Sequence, residues 1–151
     1  DTSDIYPDGW VSTFSELEKS LIRKGKRIVS LAVGASHTVV MTDAGEAYTW
    51  GWGDHGQLGH GGYRNELNPR CVETLLFQVA SFTRTDEQAS KGARSTVRIK
   101  EIAAGDDFTV ALSESGRVYT WGSGKRGQLG LGNFKSCANP RVIDSLKRRV
   151  T

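Results

Sequence analysis

Tyr48-Thr49-Trp50-Gly51-Trp52-Gly53-Asp54-His55-Gly56-Gln57-Leu58-Gly59-His60-Gly61 recurs, 71 residues on, as Tyr119-Thr120-Trp121-Gly122-Ser123-Gly124-Lys125-Arg126-Gly127-Gln128-Leu129-Gly130-Leu131-Gly132. Extending the alignment outward pairs residues 28–75 with 99–146, and 20 of the 48 aligned positions are identical. Self-similarity at this length and period marks a repeat architecture, in which each unit is one small supersecondary structure.

Inside each unit the pattern is of short strands closed by turns. Ile28 to Val33 and His37 to Met41 read as strands, and so do Ile99 to Ala104 and Phe108 to Leu112. Asp43-Ala44-Gly45-Glu46 and Glu114-Ser115-Gly116-Arg117 are tight turns, with Gly45 and Gly116 suited to positive φ. Ala47 to Trp50 and Val118 to Trp121 complete hairpins. After the glycine-rich phrase and Asn-Pro-Arg, an edge-like fourth strand is expected at Cys71-Val72-Glu73 and at Val142-Ile143, since proline can begin a strand but cannot donate within one.

Four short strands per unit of about 50 residues predict an all-β fold of β-propeller type. Two units cannot close a ring, because a repeat core normally needs at least three. The expectation is therefore a partial propeller, either a segment of a larger ring or a unit that assembles with another copy. The chain opens with Asp1 and not with methionine, which favours a segment of a longer parent.

The expected organisation is an N-terminal extension at 1–27, repeat 1 at 28–75, a polar and basic insertion at 76–97, repeat 2 at 98–146, and a basic tail at 147–151. Within the extension, residues 12–24 suit a short helix. Ser15 and Glu18 resemble a capping box, Phe14, Leu17 and Leu21 form an apolar stripe, and Gly25 ends it.

Composition excludes several classes. Apolar residues make up 37%, mean hydropathy is −0.42 and net charge is +3, as in a folded chain with no obligatory acidic partner. No run approaches the ~18 apolar residues of a membrane span. Cys71 and Cys137 occupy unequal repeat positions and are taken as reduced thiols of an intracellular protein.

Both glycine phrases satisfy the dinucleotide fingerprint literally, at Gly51-x-Gly53-x-x-Gly56 and Gly122-x-Gly124-x-x-Gly127. That fingerprint needs a helix directly afterwards to hold pyrophosphate, and Gln-Leu-Gly-x-Gly cannot sustain one. Gly51, Gly53, Gly56, Gly59, Gly122, Gly124, Gly127 and Gly130 are assigned to turns, and Trp50 and Trp121 to packing between sheets. Gln57 and Gln128 are expected to bond loop backbone. His37, His55 and His60 have no companions that would complete a zinc site, and no Ser/His/Asp set recurs. No cofactor, no metal and no catalytic residue is expected.

The positions that differ between the phrases are the candidates for partner binding. Trp52 faces Ser123 in the alignment, so the scaffold does not require it, while Asp54 and His55 are replaced by Lys125 and Arg126. Arg84, Lys91 and Arg94 in the insertion and Lys147, Arg148 and Arg149 in the tail add positive charge. No aromatics interleave with these cations, so contact with nucleic acid or chromatin would be to phosphates.

The phrase Tyr-Thr-Trp-Gly-x-Gly-x-x-Gly-Gln-Leu-Gly-x-Gly, with Asn-Pro-Arg after it and residues 32–45 and 103–116 before it, resembles the regulator-of-chromosome-condensation repeat family. The resemblance covers about two thirds of the chain and implies two repeats of a seven-bladed propeller. Trp50-Gly51-Trp52-Gly53 looks especially like the plant members, some of which sense UV-B through a Gly-Trp-Arg-His-Thr motif. The matching slots, Gly34-Ala35-Ser36-His37-Thr38 and Gly105-Asp106-Asp107-Phe108-Thr109, lack both tryptophan and arginine, which argues against photoreception. The resemblance also implies a nuclear or cytoplasmic protein and three roles. These are a non-enzymatic protein-interaction scaffold, guanine-nucleotide exchange on a small GTPase, and association with chromatin or DNA through the insertion and tail.

Overall fold

The computed structural model describes residues 10–76 and 97–146. Two four-stranded antiparallel sheets follow one another along the chain. The first holds β1 (Ile28–Val33), β2 (His37–Thr42), β3 (Ala47–Gly51) and β4 (Glu66–Cys71) in that order. The second holds β5 (Ile99–Ala104), β6 (Phe108–Ser113), β7 (Val118–Gly122) and β8 (Cys137–Val142), again in order. Registers repeat as well: Thr38 pairs with Trp50 and Thr109 with Trp121, and both first hairpins slip after their opening isoleucine.

The fourth strands begin earlier than the sequence pattern puts them. β4 starts at Glu66 and β8 at Cys137, so Pro69 and Pro140 lie inside strands. Proline is tolerated because these are edge strands, and the ladder slips between Thr49 and Gly51 and between Thr120 and Gly122. Glu73, expected in the strand, instead opens the short helix α2 (Glu73–Leu76).

Helix α1 spans Trp10–Arg23. Ser15 therefore lies inside the helix and does not cap it, because the preceding five residues are helical too. Leu17 is half-buried and Leu21 buried, on one face. Gly25 ends the helix at φ 71. Lys26 N donates to Leu21 O and Gly25 N to Ile22 O, the paired bonds of a left-handed C-terminal cap.

The core lies between the two sheets. Val39, Met41, Ala47, Val72 and Leu75 from the first side meet Ile99, Ala111, Tyr119 and Trp121 from the second. Full burial of each aliphatic side chain contributes about 1.5–3 kcal/mol. Leu75 reaches this core from α2, which lies against β8, and Leu21 is buried in the same way from α1, which lies against β4. Each sheet thus receives a leucine from the helix that precedes it.

The outward faces are bare by comparison. Ile102 of β5 packs on the core, whereas its counterpart Leu31 is 62% exposed. Val39 is fully buried, and its counterpart Val110 only half-buried. Leu67 on β4 is 86% exposed, where its counterpart Ala138 receives a loop of the first sheet.

Candidate partner-binding rim

The glycine phrase leaves each third strand and folds into a compact loop held by its own polar groups. Thr49 Oγ1 donates to Leu58 O at 2.7 Å, and Thr120 Oγ1 to Leu129 O at 2.8 Å. Gln57 Oε1 accepts from His55 N at 2.9 Å, and Gln128 Oε1 from Arg126 N at 2.8 Å, so both glutamines bond loop backbone. Gly53 N donates to Asn65 Oδ1 and Gly124 N to Ser136 Oγ, which ties the returning chain to the loop. The approach there is close. A Cβ on Gly53 would stand 2.1 Å from Arg64 O, and one on Gly124 1.9 Å from Lys135 O.

The first loop is also wedged into the second sheet. Gly56 lies against Ala138, and Gly59, at φ 77, lies against the Trp121 ring. Gly61 N donates to Ala138 O at 3.0 Å, and Gln57 O accepts from Thr109 Oγ1 at 2.9 Å. Trp121 is fully buried, a packing position between sheets, while Trp50 at the equivalent site of the first sheet is half-buried. The equivalent loop of the second sheet docks on nothing among the described residues: Gln128 is half-buried and Gly130 exposed, where Gln57 and Gly59 are buried.

His37 and Phe108 fill one slot in each repeat, the ring lying over Gly34 or Gly105, where any Cβ would collide with it. His37 is buried and its Nε2 is 2.9 Å from Thr109 Oγ1. Burial pushes its pKa below the ordinary value, against the opposing pull of Asp107 and the Phe108 backbone. Burial lowers His60 too, with Arg70 acting in the same direction.

Of the variable loop residues, Trp52 is 56% exposed and points to solvent, whereas its counterpart Ser123 is buried. Lys125 and Arg126 are exposed. Asp54 is exposed and His55 half-buried, and both also make contacts within the fold. Asp54 Oδ1 accepts from Gln57 Nε2 at 3.3 Å, and His55 Nε2 lies 3.7 Å from Asp54 Oδ2 and 3.8 Å from Asp107 Oδ2, across the seam between sheets. Asp43 accepts from Arg27 N at 2.9 Å, as a turn carboxylate should, while Glu114 pairs with Arg98 at 3.3 Å. Arg84, Lys91, Arg94 and the tail cations lie outside the described residues. Among the described residues no three His, Cys, Asp or Glu side chains gather to hold a metal, and no helix is long and apolar enough to cross a membrane.

One feature of the rim escaped the sequence reading. Tyr63 and Phe134 are 71 residues apart, each is followed by a cation (Arg64, Lys135), and both aromatics are exposed. The shared register was the available signal.

Models of the "Regulator of chromosome condensation (RCC1) repeat" match residues 28–57 with 99–128, and 44–84 with 115–151. The chain belongs to the regulator-of-chromosome-condensation repeat family. It is 35% identical over 146 residues to the human E3 ubiquitin-protein ligase HERC2, covering 92% of this chain and 3% of that protein. It is 36% identical over 124 residues to the ultraviolet-B receptor UVR8 of Arabidopsis thaliana, covering 82% of this chain and 24% of the receptor. Human WBSCR16 superposes with a TM-score of 0.58 at 26% identity, over 77% of this chain and 25% of that one. Prp20p of Saccharomyces cerevisiae superposes at 0.57 with 23% identity, over 77% and 25%. The fold is thus a partial propeller, and each sheet is one blade. The chain spans a quarter or less of these relatives.

Proposed function

We infer that this two-blade unit is a non-enzymatic protein-interaction module, working with further blades of a parent chain or with another copy. The observation that carries this is the split within the glycine loop. Its invariant letters make turns or enter the seam, and Trp52, at a position the fold does not require, stands 56% exposed. Exposed aromatics on rigid loops are the residue type most often found to anchor protein partners. The bare faces at Leu31 and Leu67 on one side and Val110 on the other support the need for neighbours. A nuclear or cytoplasmic setting accompanies this reading.

A tagged chain is expected to retain one defined protein from lysate and to lose it in Trp52→Ser, which installs the second blade's own residue, or when 80–96 is deleted. Retention undiminished in both variants would remove the reading.

A second reading is regulation of a small GTPase by nucleotide exchange. Prp20p, which shares the fold, was characterised for binding to Gsp1p and histones. Faster release of labelled guanine nucleotide from a GTPase panel would support exchange, and no acceleration would count against it. A third reading, chromatin association through the insertion and tail, predicts DNA affinity that falls with salt and with neutralisation of Arg84, Lys91 and Arg94.

A further inference from the structure

We propose that the rim at Trp52, Tyr63-Arg64 and Phe134-Lys135 is a binding strip for single-stranded nucleic acid. Three observations carry it. First, Arg64 O sits against Gly53 and Lys135 O against Gly124, so the same backbone crossing sets Tyr63-Arg64 beside Trp52-Gly53 and Phe134-Lys135 beside Gly124-Lys125. A Cβ on Gly127 would stand 3.5 Å from the Phe134 ring, so that ring lies next to the loop that carries Arg126. Second, all three aromatics are exposed, at 56%, 56% and 74%, and Arg64, Lys125, Arg126 and Lys135 are exposed too. Third, the bond from Gly61 N to Ala138 O ties the segment before Tyr63 to the segment after Phe134. Tyr63 is two residues from the first anchor and Phe134 four from the second. Chain length therefore keeps the two within about 25 Å, since an extended residue spans at most about 3.5 Å.

Aromatic faces alternating with cations are what an unpaired strand uses. Bases stack on the rings without regard to sequence while phosphates meet the cations, over sites of about 4–16 nucleotides. A duplex hides its base faces and would gain nothing from the rings. An acidic peptide would need only the cations. The bonds that hold the returning chain to each loop come from Asn65 and Ser136 and not from the rings, which leaves Tyr63 and Phe134 exposed. This surface lies apart from the 76–97 insertion and the tail; it shares Trp52 with the protein-interaction reading, but Tyr63 and Phe134, which the variants below test, play no part in that reading.

The test uses the full chain and fluorescence anisotropy of a labelled 16-nucleotide deoxythymidine strand. Binding is expected, with quenching of tryptophan emission and a log Kd against log salt slope of about 3, from four phosphate contacts at about 0.7 each. Tyr63→Ala and Phe134→Ala should each weaken binding about tenfold with the slope kept. Arg64→Gln with Lys135→Gln should lower the slope by about 1.4. Tyr63→Phe and Phe134→Tyr should bind as the parent does, and unchanged melting curves separate lost binding from lost fold. No binding at low salt, equal or tighter binding of the matched duplex or of polyglutamate, or indifference to both alanine variants would each overturn the proposal.

Discussion

His37 Nε2 of the first blade lies 2.9 Å from Thr109 Oγ1 of the second, a hydrogen bond that joins the two sheets. Thr109 uses its one hydroxyl hydrogen on Gln57 O, so the ring must donate through Nε2. Nδ1 is then bare, and it is buried without a hydrogen-bond partner.

A second proton would put a charge in this buried site, and that desolvation outweighs the pull of Asp107 and the Phe108 backbone and holds the folded-state pKa below 6.5. The unfolded state therefore binds protons more readily, so stability is full above about pH 6.5 and falls as pH drops through that value toward the folded pKa. His60 adds to the same trend. Melting temperature should fall between pH 7.5 and pH 5. His37→Phe, which copies Phe108, should reduce the fall while keeping the ring over Gly34. An identical fall in the variant would show that His37 is not the group responsible.

Gly59 and Gly130 are equivalent in sequence but not in surroundings. A methyl on Gly59 would stand 2.7 Å from Nε1 of buried Trp121, whereas one on Gly130 would meet the Ile143 side-chain tip at 3.3 Å. Both sit at positive φ, which costs about 1–2 kcal/mol for alanine. Gly130→Ala should cost about 1 kcal/mol and Gly59→Ala about 3 kcal/mol, because the ring cannot yield. Urea unfolding of the two variants measures the difference.

Gln57 and Gln128 offer a second matched pair. Gln57 is fully buried and bonds both His55 N and Asp54, while Gln128 is half-buried and accepts from the backbone N of Arg126. Truncation to alanine should cost about 2 kcal/mol at 57, where a buried N–H loses its acceptor, and under about 1 kcal/mol at 128, where water replaces the side chain. Equal costs in urea unfolding would mean that the seam adds nothing to the loop.

Cys71 pairs across β3 and β4 with Tyr48. Burial, with Glu46 and Glu73 nearby, pushes its thiol up to about 11, and burial next to Cys71 and Glu46 pushes Tyr48 up to about 12. The thiolate is the reactive form, so alkylation of Cys71 by iodoacetamide should stay slow at pH 8 and accelerate only near pH 11. Mass spectrometry of the Cys71 peptide follows the rate, and fast labelling at pH 8 would contradict the burial assigned to it.

The architecture was legible because a repeat states its own register. Ile28 and Ile99, Gly45 and Gly116, and Trp50 and Trp121 occupy matched places in two sheets of identical order. The misplaced fourth strand had a local cause. Proline signals a boundary in an isolated segment, but at a sheet edge beside a slipped ladder it enters the strand. Ser15 failed as a cap because the residues before it carry no strong helix signal yet are helical. The approach of Asp107 to within 3.8 Å of His55 was not legible, because a loop's own residues do not show which neighbouring blade they meet. Tyr63 and Phe134 were passed over because, outside the invariant letters, a polar loop draws no attention to a ring.

The buried loop at Gln57 and its bare twin at Gln128 give the unit a direction. Its two ends are unlike, since one offers a wedge and the other the slot that such a wedge fills. Surfaces of that kind cannot pair about a two-fold axis. Association through them runs head to tail, and head-to-tail contacts either return to their starting point as a ring or continue as a filament. Closure is therefore set by the small rotation from blade to blade, the angle fixed where Gly59 meets Trp121.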